Sequence, residues 1–141
     1  MDHLKVMTKK WIDLARTSPS GGNAQPWIVR LQISTGGIEF IISVDQKYSK
    51  KPSLLDLNGE ASALGIGCFL MSLIVAAQQD GFFVSGFDLE KEISAWRAKW
   101  HLKFVKNDLK QSKYILVNLS DKDLYLRNTD RSIYKERRIS S

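Results

Sequence analysis

The sequence predicts an α+β fold in which a few antiparallel strands pack on two helices, one of them long, central and apolar. Three observations predict it. Residues 27–33 and 38–44 alternate apolar and polar side chains, the period of strands with one buried face. Residues 3–16 repeat apolar side chains at helical spacing. Residues 61–77 form an uncharged, strongly apolar run bounded by Glu60 and Asp80. With 141 residues, 43% of them hydrophobic and 26% charged, the chain has the balance of one globular unit able to bury a core rather than of a disordered polymer.

The elements follow in order. Leu4, Met7, Trp11 and Leu14 recur three and four apart, while Lys5, Lys9, Lys10, Asp13 and Arg16 fall mainly off that stripe. Residues 3–16 therefore form an amphipathic helix. Thr17-Ser18-Pro19-Ser20-Gly21-Gly22-Asn23 ends it with strong turn formers. Trp27, Val29, Leu31 and Ile33 then share one face of a strand, with Arg30 and Gln32 on the other. Ile38, Phe40, Ile42 and Val44 share a face of the next. Ser34-Thr35-Gly36-Gly37 joins the two as a β-hairpin over 27–44. Residues 46–53 read as a polar loop.

A helix from about Asp56 to Gln79 comes next, with Gly81 placed to stop it. Its uncharged core of seventeen residues is at the short limit for a membrane span and contains Ser62, Gly65, Gly67 and Ser72. No basic cluster or aromatic belt marks its ends, so it reads as a buried central helix. Gly65, Gly67 and Ser72 would let another backbone approach closely, and Cys68 within the run reads as an inert small hydrophobe. Residues 82–88 read as a short strand or extended segment, and 90–100 as an ambiguous stretch for which a short helix is one reading. Residues 101–106 and 113–119 read as strands, and the chain beyond Ser120 as a polar tail. No repeat or low-complexity tract interrupts this order.

A single cysteine and two histidines exclude an internal disulfide framework, a CxxC zinc site and a His-rich metal site. No metal ligand set and no side-chain catalytic residue are assigned. No basic-then-apolar leader opens the sequence, and a soluble cytoplasmic protein is expected. The formal charge of +6 is spread over Lys9-Lys10, Lys50-Lys51, Lys103-Lys106 and Arg137-Arg138, without a nucleic-acid reader motif. It fits either a solvated surface or attraction of an anionic cofactor. Trp96 and Trp100, with Arg97 and Lys99 between them, make either an aromatic-basic surface or, more commonly, a packed helix face. No nucleic-acid or membrane partner is expected, and no GxGxxG or Walker motif is present.

The segment from Pro19 to Trp27 (Pro-Ser-Gly-Gly-Asn-Ala-Gln-Pro-Trp) carries the most chemistry. It is a turn between a helix and a strand. Adjacent glycines allow close backbone approach to a ligand. Successive N–H groups in such a turn can form an anion-binding concavity. Ser20, Asn23 and Gln25 add hydroxyl and amide groups. The same residues also make a plain helix-to-strand connection.

Ser-Gly-Gly-Asn-Ala-Gln-Pro-Trp resembles the hallmark stretch of the FMN-dependent nitroreductase family and its tandem-domain relatives. The order around it, a helix before, a hairpin after and then a long apolar helix, is similar too. The resemblance covers roughly residues 3–80 and weakens from 82 to 120. It implies a nitroreductase-like α+β fold. It further implies FMN held in a groove between two subunits or fused halves, with Pro19, Ser20, Gly21 and Asn23 against the flavin, and Gln25 beside them. Flavin would take hydride from NADH or NADPH and pass electrons to a nitroaromatic, quinone or similar small acceptor. Helix 56–79 would pack at the interface of a homodimer or against a partner half.

The resemblance extends to Arg127-Asn128-Thr129-Asp130-Arg131, which looks like the Arg-x-Ser-x-Arg pattern with which the family domain opens. Arg127, Thr129 and Arg131 would then clamp the flavin phosphate, since guanidinium groups pair bidentately with phosphate oxygens. The pattern also suits a solvated basic tail. It stands at the end of this chain rather than at the start. Residues 1–120 thus look like a nitroreductase-like unit, an incomplete or half domain, and 121–141 like the opening of a second half. On that reading the chain is either an oxidoreductase domain or a non-catalytic remnant needing a partner half.

Overall fold

Trp11 sets the geometry of the core. Helix α1 (Asp2–Ala15) buries Thr8, Trp11, Leu14 and Ala15 and leaves Lys5, Lys9, Lys10 and Asp13 in solvent, the division its apolar period demands. Thr8 sits in this apolar stripe because its hydroxyl donates to the Leu4 carbonyl, one turn back, at 2.8 Å. The Trp11 ring lies edge-on to Phe82 at 5.2 Å and tilted against Phe104 at 5.9 Å and Phe40 at 6.3 Å. Its indole N–H donates to the Asp80 carboxylate at 2.6 Å. The computed structural model that shows these contacts describes residues 2–50, 56, 59–90 and 97–106.

The alternating segments form a hairpin, β1 (Trp27–Ser34) and β2 (Gly37–Val44), paired from Trp27↔Val44 to Ser34↔Gly37 around a turn at Thr35 and Gly36. β2 buries Ile38, Phe40, Ile42 and Val44. β3 (Phe82–Glu90) and β4 (Lys99–Lys106) complete an antiparallel sheet of order β1-β2-β4-β3. β4 enters between β2 and β3, with Ile38↔Phe104 on one side and Val84↔Phe104 on the other. A bulge at Ser85 shifts the register of β3.

Helix α3 (Glu60–Gln79) and α1 pack on the same face of this sheet. Ile66, Phe69, Leu73 and Ala77 are fully buried. α3 stops where the sequence places the stop: the Asp80 and Gly81 amides donate to the Ala77 and Gln78 carbonyls, and Gly81 adopts φ +78°. The predicted α+β class, antiparallel sheet and long apolar helix are all present.

Several boundaries differ from the sequence reading. Residues 46–50 are not loop but a short helix, α2 (Gln46–Lys50), started by the Asp45 carboxylate accepting the Lys47 amide at 3.0 Å. α3 begins at Glu60, four residues later than expected, and Asp56 acts as its cap instead. Asp56 Oδ1 accepts the Ala61 and Ser62 amides at 2.9 and 3.2 Å. The helix that was one reading of 90–100 is replaced at both ends by strand: Glu90 ends β3, and Lys99 and Trp100 open β4. Trp100 packs against the core from β4, so no helical Trp96–Trp100 face forms through it. The strand expected at 113–119 and the tail from 121 lie outside the described residues, as does Trp96.

α3 also departs from a uniformly buried helix. Its length and composition would suffice to cross a membrane, yet 56% of its most apolar window is buried within the protein. The rest is a stripe of Ala63, Leu64, Gly67, Cys68 and Met71, on which Leu64 is 74% exposed. Cys68, expected to be an inert core side chain, is exposed on this stripe.

Candidate functional site

The turn between α1 and β1 is built against α3. Ser18 is buried beneath it, with Oγ 2.7 Å from Ser72 Oγ. Both hydroxyls reach the Cys68 carbonyl, at 3.1 and 3.0 Å. Immediately after it, Pro19 and Ser20 run across Gly65. A Cβ there would stand 3.4 Å from Ser20 Cβ and 3.5 Å from the Pro19 carbonyl oxygen, so only a very small side chain permits this approach. The close backbone contact expected of Gly65 and Ser72 is therefore made, and what approaches is the motif itself. Gly67, in contrast, faces open space.

From extended Ser20 (φ −146°, ψ 151°) the chain makes a 3₁₀ turn over Gly21–Asn23. The Asn23 amide donates to the Ser20 carbonyl at 2.9 Å and the Ala24 amide to the Gly21 carbonyl at 3.0 Å. The Gln25 amide donates to Ser20 Oγ at 2.9 Å. Three consecutive N–H groups thus point at the turn's own oxygens. A run of free amides over 23–25, one form of the expected anion-binding concavity, is not what the fold provides. Ser20 Oγ serves as acceptor inside the turn, and no acceptor for its O–H is found among the described residues.

Asn23 and Gln25 both have positive φ, 57° and 47°, either side of right-handed Ala24. Asparagine tolerates this region; glutamine does so at a cost of about 1 kcal/mol. The alternation leaves Pro19, Gly21 and Asn23 exposed, with Ser20 and Gln25 half-buried. Pro26 is buried, and Trp27 stacks tilted on Phe69 of α3 at 5.0 Å. From the other side, the Asp45 amide donates to the Pro26 carbonyl at 2.6 Å. Asp45 also bridges Lys47 at 3.0 Å. The Lys47 amide and ammonium together hold the Asp45 carboxyl below its ordinary range.

The structure therefore brings together Pro19, Ser20, Gly21, Asn23 and Gln25 at the N-terminal half of α3, where Gly21 faces Ala61. Arg127, Thr129 and Arg131 lie outside the described residues. The side chains that converge are hydroxyl and carboxamide groups, which suit the carbonyl and imide edge of a flavin ring. Cations for its phosphate would come from elsewhere. The exposed α3 stripe begins beside the turn, at Ala63 and Leu64. Two contributors escaped sequence reasoning: Tyr48, whose hydroxyl donates to the Ala24 carbonyl at 2.5 Å, and Asp56. Tyr48 sits in a polar stretch without periodicity, and only the Asp45-x-x-Tyr48 spacing at the end of a strand hinted at a helical turn.

On the opposite face of the sheet, His101 stands between Glu39 Oε1 at 3.1 Å and Glu90 Oε2 at 3.6 Å. Lys99 bonds Glu90 at 3.0 Å and holds its carboxyl below the ordinary range. Among the described residues, no three His, Cys, Asp or Glu side chains are grouped to hold a metal ion.

The fold has a solved counterpart. A nitroreductase family protein from Streptococcus pneumoniae TIGR4 superposes with a TM-score of 0.52 at 15% identity, covering 87% of this chain and 88% of that one. No family model and no curated protein matches the sequence. The shared architecture is that of a nitroreductase-like fold.

Proposed function

We propose that this chain is an FMN-binding, nitroreductase-like oxidoreductase domain whose site is shared with a second copy. The observation that carries the reading is the seating of Pro19–Gln25 on Gly65 of α3, at the border of an exposed apolar stripe in a nitroreductase-like fold. Bound flavin would supply the electron chemistry: it accepts hydride from NADH or NADPH and passes electrons to a nitroaromatic, quinone or similar acceptor. The chain's own residues bind and orient. Exposed Asn23 and half-buried Gln25 offer carboxamides to the polar edge of the ring, Ser20 offers its O–H, and Pro19 and Gly21 give a surface without bulky side chains. Arg127, Thr129 and Arg131 are proposed to hold the phosphate.

Purified protein is expected to show oxidised-flavin absorption after FMN is added and excess removed, and to oxidise NAD(P)H with a nitroaromatic or quinone acceptor. Losing one carboxamide hydrogen bond, Asn23→Ala should weaken FMN by about tenfold, the equivalent of roughly 1.4 kcal/mol. Unchanged flavin occupancy in that variant would remove Asn23 from the site. A protein that stays colourless after reconstitution would favour the non-catalytic remnant, with a partner half still required.

The second copy is proposed to cover Ala63, Leu64, Gly67, Cys68 and Met71. Burying a leucine side chain of this kind contributes about 1.5–3 kcal/mol per copy, and a carboxylate in its place would have to be desolvated. Light scattering should accordingly report a dimer for the parent and a monomer for Leu64→Glu, with flavin lost alongside. A monomeric parent would refute the shared site.

A further inference from the structure

We infer that Tyr48 is a positioning residue for the flavin turn, acting through the Ala24 carbonyl; the inference rests on the reading of that turn as the FMN site. The turn is conformationally costly at Gln25, which holds a positive φ after Asn23, which tolerates one, and right-handed Ala24. Such a geometry persists only where surrounding bonds fix it. Two polar side chains do so from within and from outside. Ser20 Oγ accepts the Gln25 amide at 2.9 Å, and the Tyr48 hydroxyl donates to the Ala24 carbonyl at 2.5 Å, between the two residues of positive φ.

Tyr48 is itself held. Asp45 continues the hairpin by donating its amide to the Pro26 carbonyl, and its own carbonyl accepts the Tyr48 amide at 3.0 Å. Lys47, tied to Asp45, lies 4.9 Å from the Tyr48 ring centroid, and the ring packs partly against the core. The chain leaving β2 thus folds back as α2 to grip the peptide that enters β1. Without the hydroxyl, Ala24 would keep its amide bond but lose the only bond drawn to its carbonyl among the described residues. The alternation that presents Asn23 and Gln25 would then relax.

Tyr48→Phe removes the hydroxyl and keeps the ring, so the fold is retained and the test is read locally. Amide hydrogen exchange at Ala24 and Gln25 is expected to accelerate about tenfold, while Ile66, Phe69 and Leu73 of α3 exchange as in the parent. The FMN dissociation constant, from quenching of flavin fluorescence, is expected to rise by about tenfold. Unchanged exchange at the turn overturns the proposal. So does faster exchange at the turn with FMN affinity equal to the parent's, and so does a uniform rise that includes the α3 amides. If parent and variant alike fail to bind FMN while the turn alone exchanges faster, the flavin reading falls and the grip of Tyr48 on the turn stands.

Discussion

Trp11→Ala is expected to remove about 3–5 kcal/mol of folding stability, the usual range for deleting a buried aromatic side chain. The indole is fully buried and touches Phe40, Phe82 and Phe104, which come from three different strands. Its loss opens a cavity at the junction of α1, α3 and the sheet, and leaves the Asp80 carboxylate without its N–H donor. A domain of ordinary stability holds only about 5–15 kcal/mol in total. Urea unfolding followed by circular dichroism measures the loss. Trp11→Phe separates its parts: it keeps an aromatic ring and forfeits the hydrogen bond, so about 1–3 kcal/mol is expected there. A loss below about 1 kcal/mol for the alanine variant would mean that Trp11 is not the residue joining these layers.

Within a single copy, the largest effect on ligand binding is expected at Gly65. A methyl at this position would make ordinary contacts with Ser20 and Pro19, so Gly65→Ala should fold and bind FMN much as the parent does. Gly65→Leu extends a longer side chain from a Cβ that already touches Ser20 and Pro19. Overpacking of this kind costs about 1–3 kcal/mol and is expected to displace the turn from the positions that Ser20 and Tyr48 hold. FMN affinity should then fall by roughly 10- to 100-fold, with the helical and sheet signals in circular dichroism preserved. Fluorescence titration of FMN against the two variants checks it. Equal affinity in Gly65→Leu and Gly65→Ala would show that the seating of the turn on α3 has no part in binding.

What was legible in the sequence follows the strength of the periodic signal. The hairpin alternates over both strands around a two-residue turn, and its pairing runs as the alternation dictates. α3 was visible as an uncharged run with Gly81 beyond it, and the small residues along it foretold a close neighbour. Boundaries set by single polar side chains were not visible. Asp45 and Asp56 each fix a helix start by accepting amides; Asp45 gave no periodic signal, and Asp56, read as the first helical residue, instead caps the helix from outside. β4 was hidden in part because Trp100 completes a four-residue aromatic spacing that mimics a helix, whereas its pairing with Ile42 and Leu89 comes from distant parts of the chain. In the site, residue identity revealed which groups are present. It could not reveal that the Asn23, Ala24 and Gln25 amides turn inward, because that depends on φ values held by Ser20 and Tyr48.

The placement of β4 between β2 and β3 has a consequence for how the chain reaches this fold. The β1–β2 hairpin joins neighbours in sequence and can form early, but β2 finds its second partner only when Phe104 meets Ile38. Closing so long a loop costs entropy before any contact repays it. Until then α3 has only one pair of strands or the other, β1–β2 or β3–β4, to cover its apolar face. The last described strand to be synthesised is therefore the one that seals the core. Refolding is expected to be slow for a chain of this size, with docking of β4 as the step at which protection of the sheet amides appears.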